Sequence, residues 1–155
     1  MSAPPFLLDA PTAEARLPEL TELLHACVAA GASVNFVNPF MLEEAEAYWR
    51  DKVLGPLAAG TRDLFAVERG GRILGSVQLD RDMPPNGRHR AEVTKLLVHP
   101  HARRQGTGAA LMDALEARAR EQGRSLLTLD TRTGDPSDAL YRARGYVALG
   151  EIPGY

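Results

Sequence analysis

The chain has 155 residues, of which 45% are hydrophobic and 25% charged, as is usual for a globular protein. Its net charge of −2 lacks the basic excess of nucleic-acid-binding proteins, and no apolar run approaches the ~20 residues that span a bilayer. A single cysteine, Cys27, excludes a disulfide within the chain. We therefore expect one domain over residues 1–155, cytoplasmic because it lacks a signal-peptide pattern, with no nucleic-acid or membrane partner.

The N-terminal part of the chain is predicted to form one strand and two helices. Residues 6–8 are a short apolar run between prolines, typical of an edge strand. Apolar residues at helical spacing predict a helix over residues 17–28, which Gly31 stops. A second helix is predicted over residues 42–53, ending before Gly55-Pro56.

The central part changes to strand patterns. Residues 63–68 and 72–79 are predicted as two strands of a hairpin, joined at Gly70-Gly71. Residues 82–89, rich in proline, glycine and asparagine, are predicted to be neither helix nor strand. Residues 92–98 are predicted as a strand, with an apolar end that fits burial on both faces.

The C-terminal part alternates helices with strands. Helices are predicted over residues 106–122 and 137–144, and strands over residues 125–130 and 146–151. An antiparallel start followed by crossover connections predicts an α/β (α+β) fold, in which helices cover a mixed sheet.

The start of the helix at residue 106 predicts a phosphate site. The first N–H groups of a helix have no partners within it and, with the helix dipole, attract anions. Gly106 and Gly108 lack the Cβ atoms that would hold a bulky anion away, and Arg103 and Arg104 add positive charge. The alternative to a phosphate site is that the glycines only turn the chain and that the arginines are solvated.

Two other phosphate motifs fit less well. The chain has no Gly-x-x-x-x-Gly-Lys-Ser/Thr run, as a Walker loop would require. A dinucleotide fingerprint begins at Gly106 but fails at its third glycine, where Leu111 stands, although Asp130 occupies the place of a ribose-binding acid. A nicotinamide-dependent oxidoreductase therefore remains an alternative, although the chain has no room for the second half-domain of such an enzyme.

Several segments together resemble the GCN5-related N-acetyltransferase family. They are Leu97-Val98-His99-Pro100, Arg103-Arg104-Gln105-Gly106-Thr107-Gly108, Ala139-Leu140-Tyr141 and Gly145-Tyr146. The order of the predicted elements agrees over nearly the whole chain. The resemblance implies a mixed, mostly antiparallel sheet of six to seven strands with helices on both faces and splayed central strands. Within the family, Leu129–Thr131 and residues 150–155 are similar to the tabtoxin-resistance acetyltransferases.

The resemblance implies that the chain binds acetyl-CoA as its acyl donor and needs no metal. Splayed ends of the strands at 92–98 and 125–130 would receive the pantetheine arm, and a backbone N–H near Val98 would face the thioester oxygen. Many members carry an asparagine where this chain has Gly134, which leaves the role of that side chain to Asp130 or Thr131. The implied donor-binding residues are Leu97, Val98, Arg103, Arg104, Gln105, Gly106, Thr107, Gly108, Ala109 and Tyr141.

Three residues are candidates for the chemistry. Tyr141 matches the family's tyrosine near the sulfur; because a phenol pKa of about 10 exceeds a thiol pKa of about 8.5, we expect a hydrogen-bond donor and relay. Glu92 and Asp130 lie on the strands of the proposed cleft, and Asp130, at its mouth, is preferred as the base that deprotonates the amine. The alternative for Tyr141 is a core aromatic residue. For Glu92 it is a solvated charge at the end of a strand, and for Asp130 a cap of the following loop. Ordered water is the alternative base.

The predicted activity is transfer of an acetyl group from acetyl-CoA to a small-molecule amine by direct attack. The acceptor is an amino acid, an amine metabolite or an antibiotic, and an acyl-CoA sensor without transfer activity is the alternative. Tyr48, Trp49 and residues 35–40 are candidates for the acceptor pocket. Residues 151–155 would either pack in a homodimer or close the acceptor site.

Overall fold

The sheet determines where a ligand can bind. A computed structural model describes residues 3–32 and 34–155. Its strands are β1 (Phe6–Leu7), β2 (Arg62–Arg69), β3 (Arg72–Asp80), β4 (Arg90–Val98) and β5 (Leu126–Thr128). They lie in the order β1-β2-β3-β4-β5; all neighbours are antiparallel except β4 and β5, which are parallel. The predicted mixed, mostly antiparallel sheet is confirmed.

The helices follow the predicted pattern with additions. The α-helices are α1 (Ala10–Ala15), α2 (Leu17–Ala29), α3 (Leu42–Tyr48), α4 (Leu54–Ala59), α5 (Thr107–Glu121) and α6 (Ser137–Ala143). A π turn at Trp49–Val53 joins α3 to α4, and short 3₁₀ turns occur at Pro85–Gly87 and Pro100–Ala102.

Helices cover both faces of the sheet, as predicted. Successive side chains of a strand point to opposite faces, so β2 contributes to two cores. Leu64 and Ala66 pack with α2 and α3, whereas Phe65 and Val67 pack with α5. The α5 face consists of Leu111, Met112, Leu115 and Ala119, all buried as its spacing predicts.

The hairpin between β2 and β3 has the predicted turn. Gly70 and Gly71 both have positive φ, +60° and +77°. A two-residue turn with two positive φ values matches the twist of the flanking strands and is easy for glycine. The strands pair through this turn from Arg69↔Arg72 outward.

Strand β4 is bulged and then parts from β5. Ser76 pairs with Leu97 but Gln78 with Thr94, so β4 holds one extra residue in that interval, where Lys95 has φ +55°. The ladder between β4 and β5 ends at Glu92↔Thr128. From residue 93 to 98, β4 therefore has no ladder partner on the side of β5, and this opening between the two strands is called the cleft below.

The structure corrects the predicted helices in two places. Helix α1 was not expected; Asp9 caps it by accepting a hydrogen bond from the Thr12 amide at 2.9 Å. The helix at residues 42–53 does not end before Gly55-Pro56 but continues into α4. In a regular helix the ring of Pro56 would crowd the carbonyl of Lys52, four residues earlier. Lys52 lies in the π turn, and the wider spacing of that turn leaves room for the ring.

The structure also corrects the strand count. The sheet has five strands across residues 3–32 and 34–155, not six to seven. The predicted strand at 146–151 is wrong: Val147 and Leu149 are 81% and 97% exposed, and these residues join no ladder. The predicted strand at 125–130 is shorter in the structure, where β5 spans Leu126–Thr128. Such a short strand offers few backbone groups with which a sixth strand could pair.

Candidate active site

Helix α5 begins in a loop whose backbone is shaped to expose amide groups. Arg104 and the capping Gly106 both have left-handed φ, +61° and +78°. Arg103, Arg104 and Gln105 are exposed, and Thr107, the first helical residue, is buried. The unpaired N–H groups of the first turn point out of the helix beside two guanidinium groups, an arrangement that attracts phosphate.

Two glycines seat this end of α5 against the sheet and α6. A Cβ atom on Gly75 of β3 would lie 2.8 Å from Thr107 Cγ2. A Cβ atom on Gly108 would lie 3.2 Å from Leu140 Cδ2 and 3.8 Å from Val98 Cγ2. The start of α5 is therefore fixed between the end of β4 and the residue preceding Tyr141.

The end of β4 presents backbone groups to the cleft. The His99 N–H donates to Leu74 O at 2.8 Å, toward β3. Because backbone direction alternates along a strand, Val98 turns its N–H and C=O toward the unpaired edge. Val98 O accepts from Cys27 Sγ at 3.3 Å and from Arg103 Nε at 3.4 Å. Burial raises the pKa of the Cys27 thiol to about 11, so this group remains a neutral donor.

Tyr141 is a buried residue of α6, 8% exposed. Its ring packs edge-on against Tyr146, with centroids 5.8 Å apart, and the Tyr146 hydroxyl donates to Glu116 Oε2 at 3.0 Å. Burial, partly offset by Ser137, raises the pKa of Tyr141 to about 12. The phenol is thus neutral at physiological pH and suited to donate a hydrogen bond rather than to ionise.

The loop from β5 to α6 is ordered by its own polar groups. Asp135 Oδ1 accepts from the Ser137 amide at 2.9 Å and from its hydroxyl at 2.6 Å. Gly134, where the family often has asparagine, has φ +79° and makes the turn. Thr131 Oγ1 lies 3.5 Å from Ser137 Oγ, and Arg132 donates to Gly31 O at 3.1 Å across the cleft. Thr131 thus contacts the start of α6, the helix that carries Tyr141.

Glu92 and Asp130 are close enough to influence one another. Glu92 lies at the point where β4 and β5 separate and is half-buried, whereas Asp130 follows β5 and is exposed. Burial raises the pKa of Glu92, and the negative charges of Asp130 and Asp80 raise it further. A carboxyl with a raised pKa is a better proton acceptor near neutral pH than an ordinary glutamate.

A polar and aromatic wall lies on the same side of the sheet as Glu92. Arg62 donates to Gln78 Oε1 at 2.8 Å and to Asp80 Oδ2 at 3.3 Å. Gln78 in turn donates to the Tyr48 hydroxyl at 3.1 Å. Lys95 Nζ lies 5.5 Å from the centroid of the Tyr48 ring. These side chains lie together on the face of the sheet that carries Glu92.

The comparisons with known proteins decide the family. The family model described as "Acetyltransferase (GNAT) family" matches residues 21–146. The chain belongs to the GNAT acetyltransferase family. Like other GNAT enzymes, it is an acetyl-CoA-dependent acyltransferase. Among the described residues, no group of three or more His, Cys, Asp or Glu side chains is placed to hold a metal, and none of the helices could reach across a bilayer.

Individual relatives agree with this assignment. An uncharacterized N-acetyltransferase in the hisH-hisA intergenic region of Azospirillum brasilense is 35% identical over 118 residues, 75% of this chain and 68% of the relative. An aminoglycoside acetyltransferase from a soil metagenome, in complex with sisomicin, superposes with a TM-score of 0.73 at 16% identity, covering 97% and 92% of the two chains. A predicted acetyltransferase from Clostridium acetobutylicum with acetyl-CoA gives 0.68 at 18% identity, covering 98% and 94%.

Two polar residues near Glu92 were not among the candidates from the sequence. Gln78 and Lys95 were not singled out, although polar residues inside apolar strands are an available signal. Gln78 is fully buried within β3, and Lys95 directly precedes the apolar run Leu96-Leu97-Val98 in β4. The bulge that brings Lys95 to this face is not visible in the sequence, because it depends on the register with β3.

Proposed function

We propose that this GNAT enzyme, acting as one domain over residues 1–155, moves the acetyl group of acetyl-CoA to the amine of a small molecule by direct attack. The observation that carries the proposal is the position of Gly108. It holds the start of α5 against both Val98 on the unpaired edge of β4 and Leu140 beside Tyr141. The start of α5, a strand edge without a ladder partner and a phenol are therefore close neighbours, as a single binding cleft would require.

The residues at the start of α5 fit the diphosphate of coenzyme A. A Cβ atom on Gly106, whose φ is +78°, would have no heavy atom within 4 Å, so the space beside the amide groups is open to a bulky anion. In this proposal Arg103, Arg104 and the amides from Gln105 to Ala109 hold the diphosphate. Val98 and Tyr141 line the path toward the thioester, which is the acetyl source when the donor is bound, whereas the buried Leu97 supports β4 from the core.

The edge of β4 would stabilise the charge that develops during transfer. Val98 directs its N–H into the cleft, and a fixed backbone dipole needs no reorganisation as negative charge grows on an oxygen. The neighbouring Val98 C=O is already occupied by Cys27 and Arg103. That leaves the N–H as the polar group of Val98 available to the acyl oxygen.

Glu92 is the carboxylate that best suits a general base. Its pKa is raised by burial and by Asp130, which makes it a stronger proton acceptor than an ordinary glutamate. The base removes a proton from the incoming amine, directly or through a water molecule. Asp130, exposed at the mouth, contributes by raising the pKa of Glu92 and by attracting a cationic amine.

Tyr141 would protonate or hydrogen-bond the departing thiolate. A phenol with a pKa of about 12 holds its proton more strongly than a thiol does, so outright donation is uphill. The hydroxyl can nevertheless stabilise a thiolate by hydrogen bonding. It can also pass a proton to the thiolate and regain one from the ammonium centre that forms when the amine attacks, so that the products are the amide and the free thiol.

The experiment that tests this function follows release of free thiol from acetyl-CoA. The acceptor series contains amino acids, simple amines, peptides and an aminoglycoside, the last because one structural neighbour is an aminoglycoside acetyltransferase. Acceptor-dependent thiol release with an N-acetylated product supports the proposal. Tight binding of acetyl-CoA without release in the presence of any acceptor would instead support the sensor.

We propose further that the enzyme works in the cytoplasm and forms a homodimer through its C-terminal residues. Val147, Leu149, Ile152 and Tyr155 are apolar or aromatic and exposed. Several exposed apolar side chains within one short segment are typical of an interaction surface. Light scattering should give twice the mass of one chain, and Leu149→Asp should return the mass of a monomer.

A further inference from the structure

Lys95 is placed on the acceptor side of the cleft by the bulge in β4. Residues 92 and 95 are an odd number apart, so a regular strand would direct them to opposite faces. The extra residue in β4 and the φ of +55° at Lys95 bring its side chain to the face of Glu92. There its Nζ lies 5.6 Å from the Phe36 ring centroid and 5.5 Å from that of Tyr48.

The other cation of this region already has partners. Arg62 is bound by Gln78 and Asp80, at 2.8 and 3.3 Å. Lys95, in contrast, forms no ion pair or hydrogen bond with any described part of the chain, and its ammonium lies over the two aromatic rings. That ammonium is half-buried, and burial and then Arg62 lower its pKa. A half-buried charge of this kind is stabilised by an anion that approaches from the open side.

We propose that Lys95 binds a carboxylate of the acceptor, so that the substrate is an amine that also carries a carboxylate group, such as an amino acid. The inference rests on the proposed function and specifies its acceptor. With the carboxylate on Lys95, the amine of the same molecule would lie toward Glu92 and Asp130. The aromatic rings of Phe36 and Tyr48 hold the ammonium by cation–π attraction and keep it from folding onto those carboxylates.

The charges around Lys95 favour a carboxylate over a phosphate. Glu92, Asp80 and Asp130 place three carboxyl groups near the two cations Lys95 and Arg62. A dianionic phosphate would meet net repulsion there, whereas a zwitterion with one carboxylate and one amine matches both signs.

A series of matched acceptors tests the inference in the unaltered enzyme. Each α-amino acid is compared with its amide and with the amine that lacks the carboxyl group, by thiol release from acetyl-CoA. We expect kcat/KM to be about 10- to 100-fold higher for the acid, because a charge-assisted contact is lost in the other two. Equal or higher kcat/KM for the neutral analogues would overturn the inference while leaving acetyl transfer to amines intact.

Variants of the two lysines in the chain assign the preference to Lys95. Lys95→Met should lower the ratio of kcat/KM between acid and amide toward one, and Lys95→Arg should restore much of it. Lys52→Met, at an exposed lysine of the π turn, is the matched control and should keep the wild-type ratio. An unchanged ratio in Lys95→Met would overturn the assignment. Absence of thiol release with every amine would instead refute the proposed function itself, and the inference with it.

Discussion

Tyr141 has a ring that packs in the core and a hydroxyl that can donate a hydrogen bond, and one substitution can separate the two. Its ring belongs to the core between α5 and α6, while its hydroxyl has a pKa of about 12. Phenylalanine can keep the first property and remove the second. Tyr141→Phe should therefore lower kcat by about 100-fold, as loss of a proton-transfer group typically does, with a change in acetyl-CoA affinity below about twofold.

The control for Tyr141 is Tyr155→Phe, at an exposed residue outside the core. Steady-state kinetics gives kcat, and calorimetry gives the affinity for acetyl-CoA. If Tyr141→Phe and Tyr155→Phe both turn over at the wild-type rate, Tyr141 is a packing residue and another group serves the leaving thiolate.

The raised pKa of Glu92, the proposed base, has consequences for both activity and stability. A base works only when deprotonated, so the acidic limb of kcat/KM should lie above the ordinary glutamate value of about 4.3 and should disappear in Glu92→Gln, along with most activity. Glu14→Gln, at an exposed residue of α1, should keep the wild-type profile. An unchanged acidic limb in Glu92→Gln would assign the base to Asp130 or to water.

The same pKa shift predicts that Glu92→Gln stabilises the fold. Because the folded pKa of Glu92 is raised, the folded state binds this proton more tightly than the unfolded state does. Stability from this group is therefore greatest at low pH and falls as pH rises through the folded pKa. Thermal unfolding should give a higher Tm for Glu92→Gln than for wild type at pH 7, with the difference vanishing below the unfolded pKa; a lower Tm at pH 7 would contradict the shift.

At the scale of elements, the two ends of α5 provide a matched pair. Gly106 and Gly123 have φ of +78° and +72°, and a Cβ atom on either would meet open space. Alanine at each position should lower the free energy of unfolding by about 1–2 kcal/mol, because an L-residue is strained in that conformation. Only Gly106→Ala should also weaken acetyl-CoA binding, since only Gly106 lies at the proposed phosphate site.

Chemical denaturation and calorimetry separate these two effects. Equal losses of stability with a loss of affinity confined to Gly106→Ala would support the phosphate site. Equal affinities in the two variants would show that the glycine at the start of α5 is needed only for the turn.

Element prediction succeeded where one local signal was enough. The boundaries of α5 follow from its apolar spacing and from glycines at both ends, and the hairpin follows from Gly70-Gly71. Prediction failed where the outcome depended on neighbours. The proline in α4 is tolerated because of the preceding π turn. Residues 146–151 have the sequence pattern of a strand, but no strand edge is available to pair with them.

On the scale of the whole molecule, the cleft results from strand pairing. The sequence motifs predicted a donor loop beside two central strands, and the structure has the α5 loop beside a β4 edge that is unpaired from residue 93 onward. The residues of the proposed acceptor side could not be predicted from sequence motifs. Lys95 reaches the face of Glu92 only through the bulge, and Gln78 joins Tyr48 to Arg62 only across three elements.

We infer that the start of α5 holds the diphosphate of coenzyme A and directs its sulfur along the edge of β4 toward Tyr141. A crystal structure of the protein with acetyl-CoA measures this directly. We expect diphosphate oxygens on the amides between Gln105 and Ala109, the acyl oxygen at the Val98 N–H, and the sulfur beside the Tyr141 hydroxyl. A diphosphate bound elsewhere, or a donor arm outside the opening between β4 and β5, would contradict it.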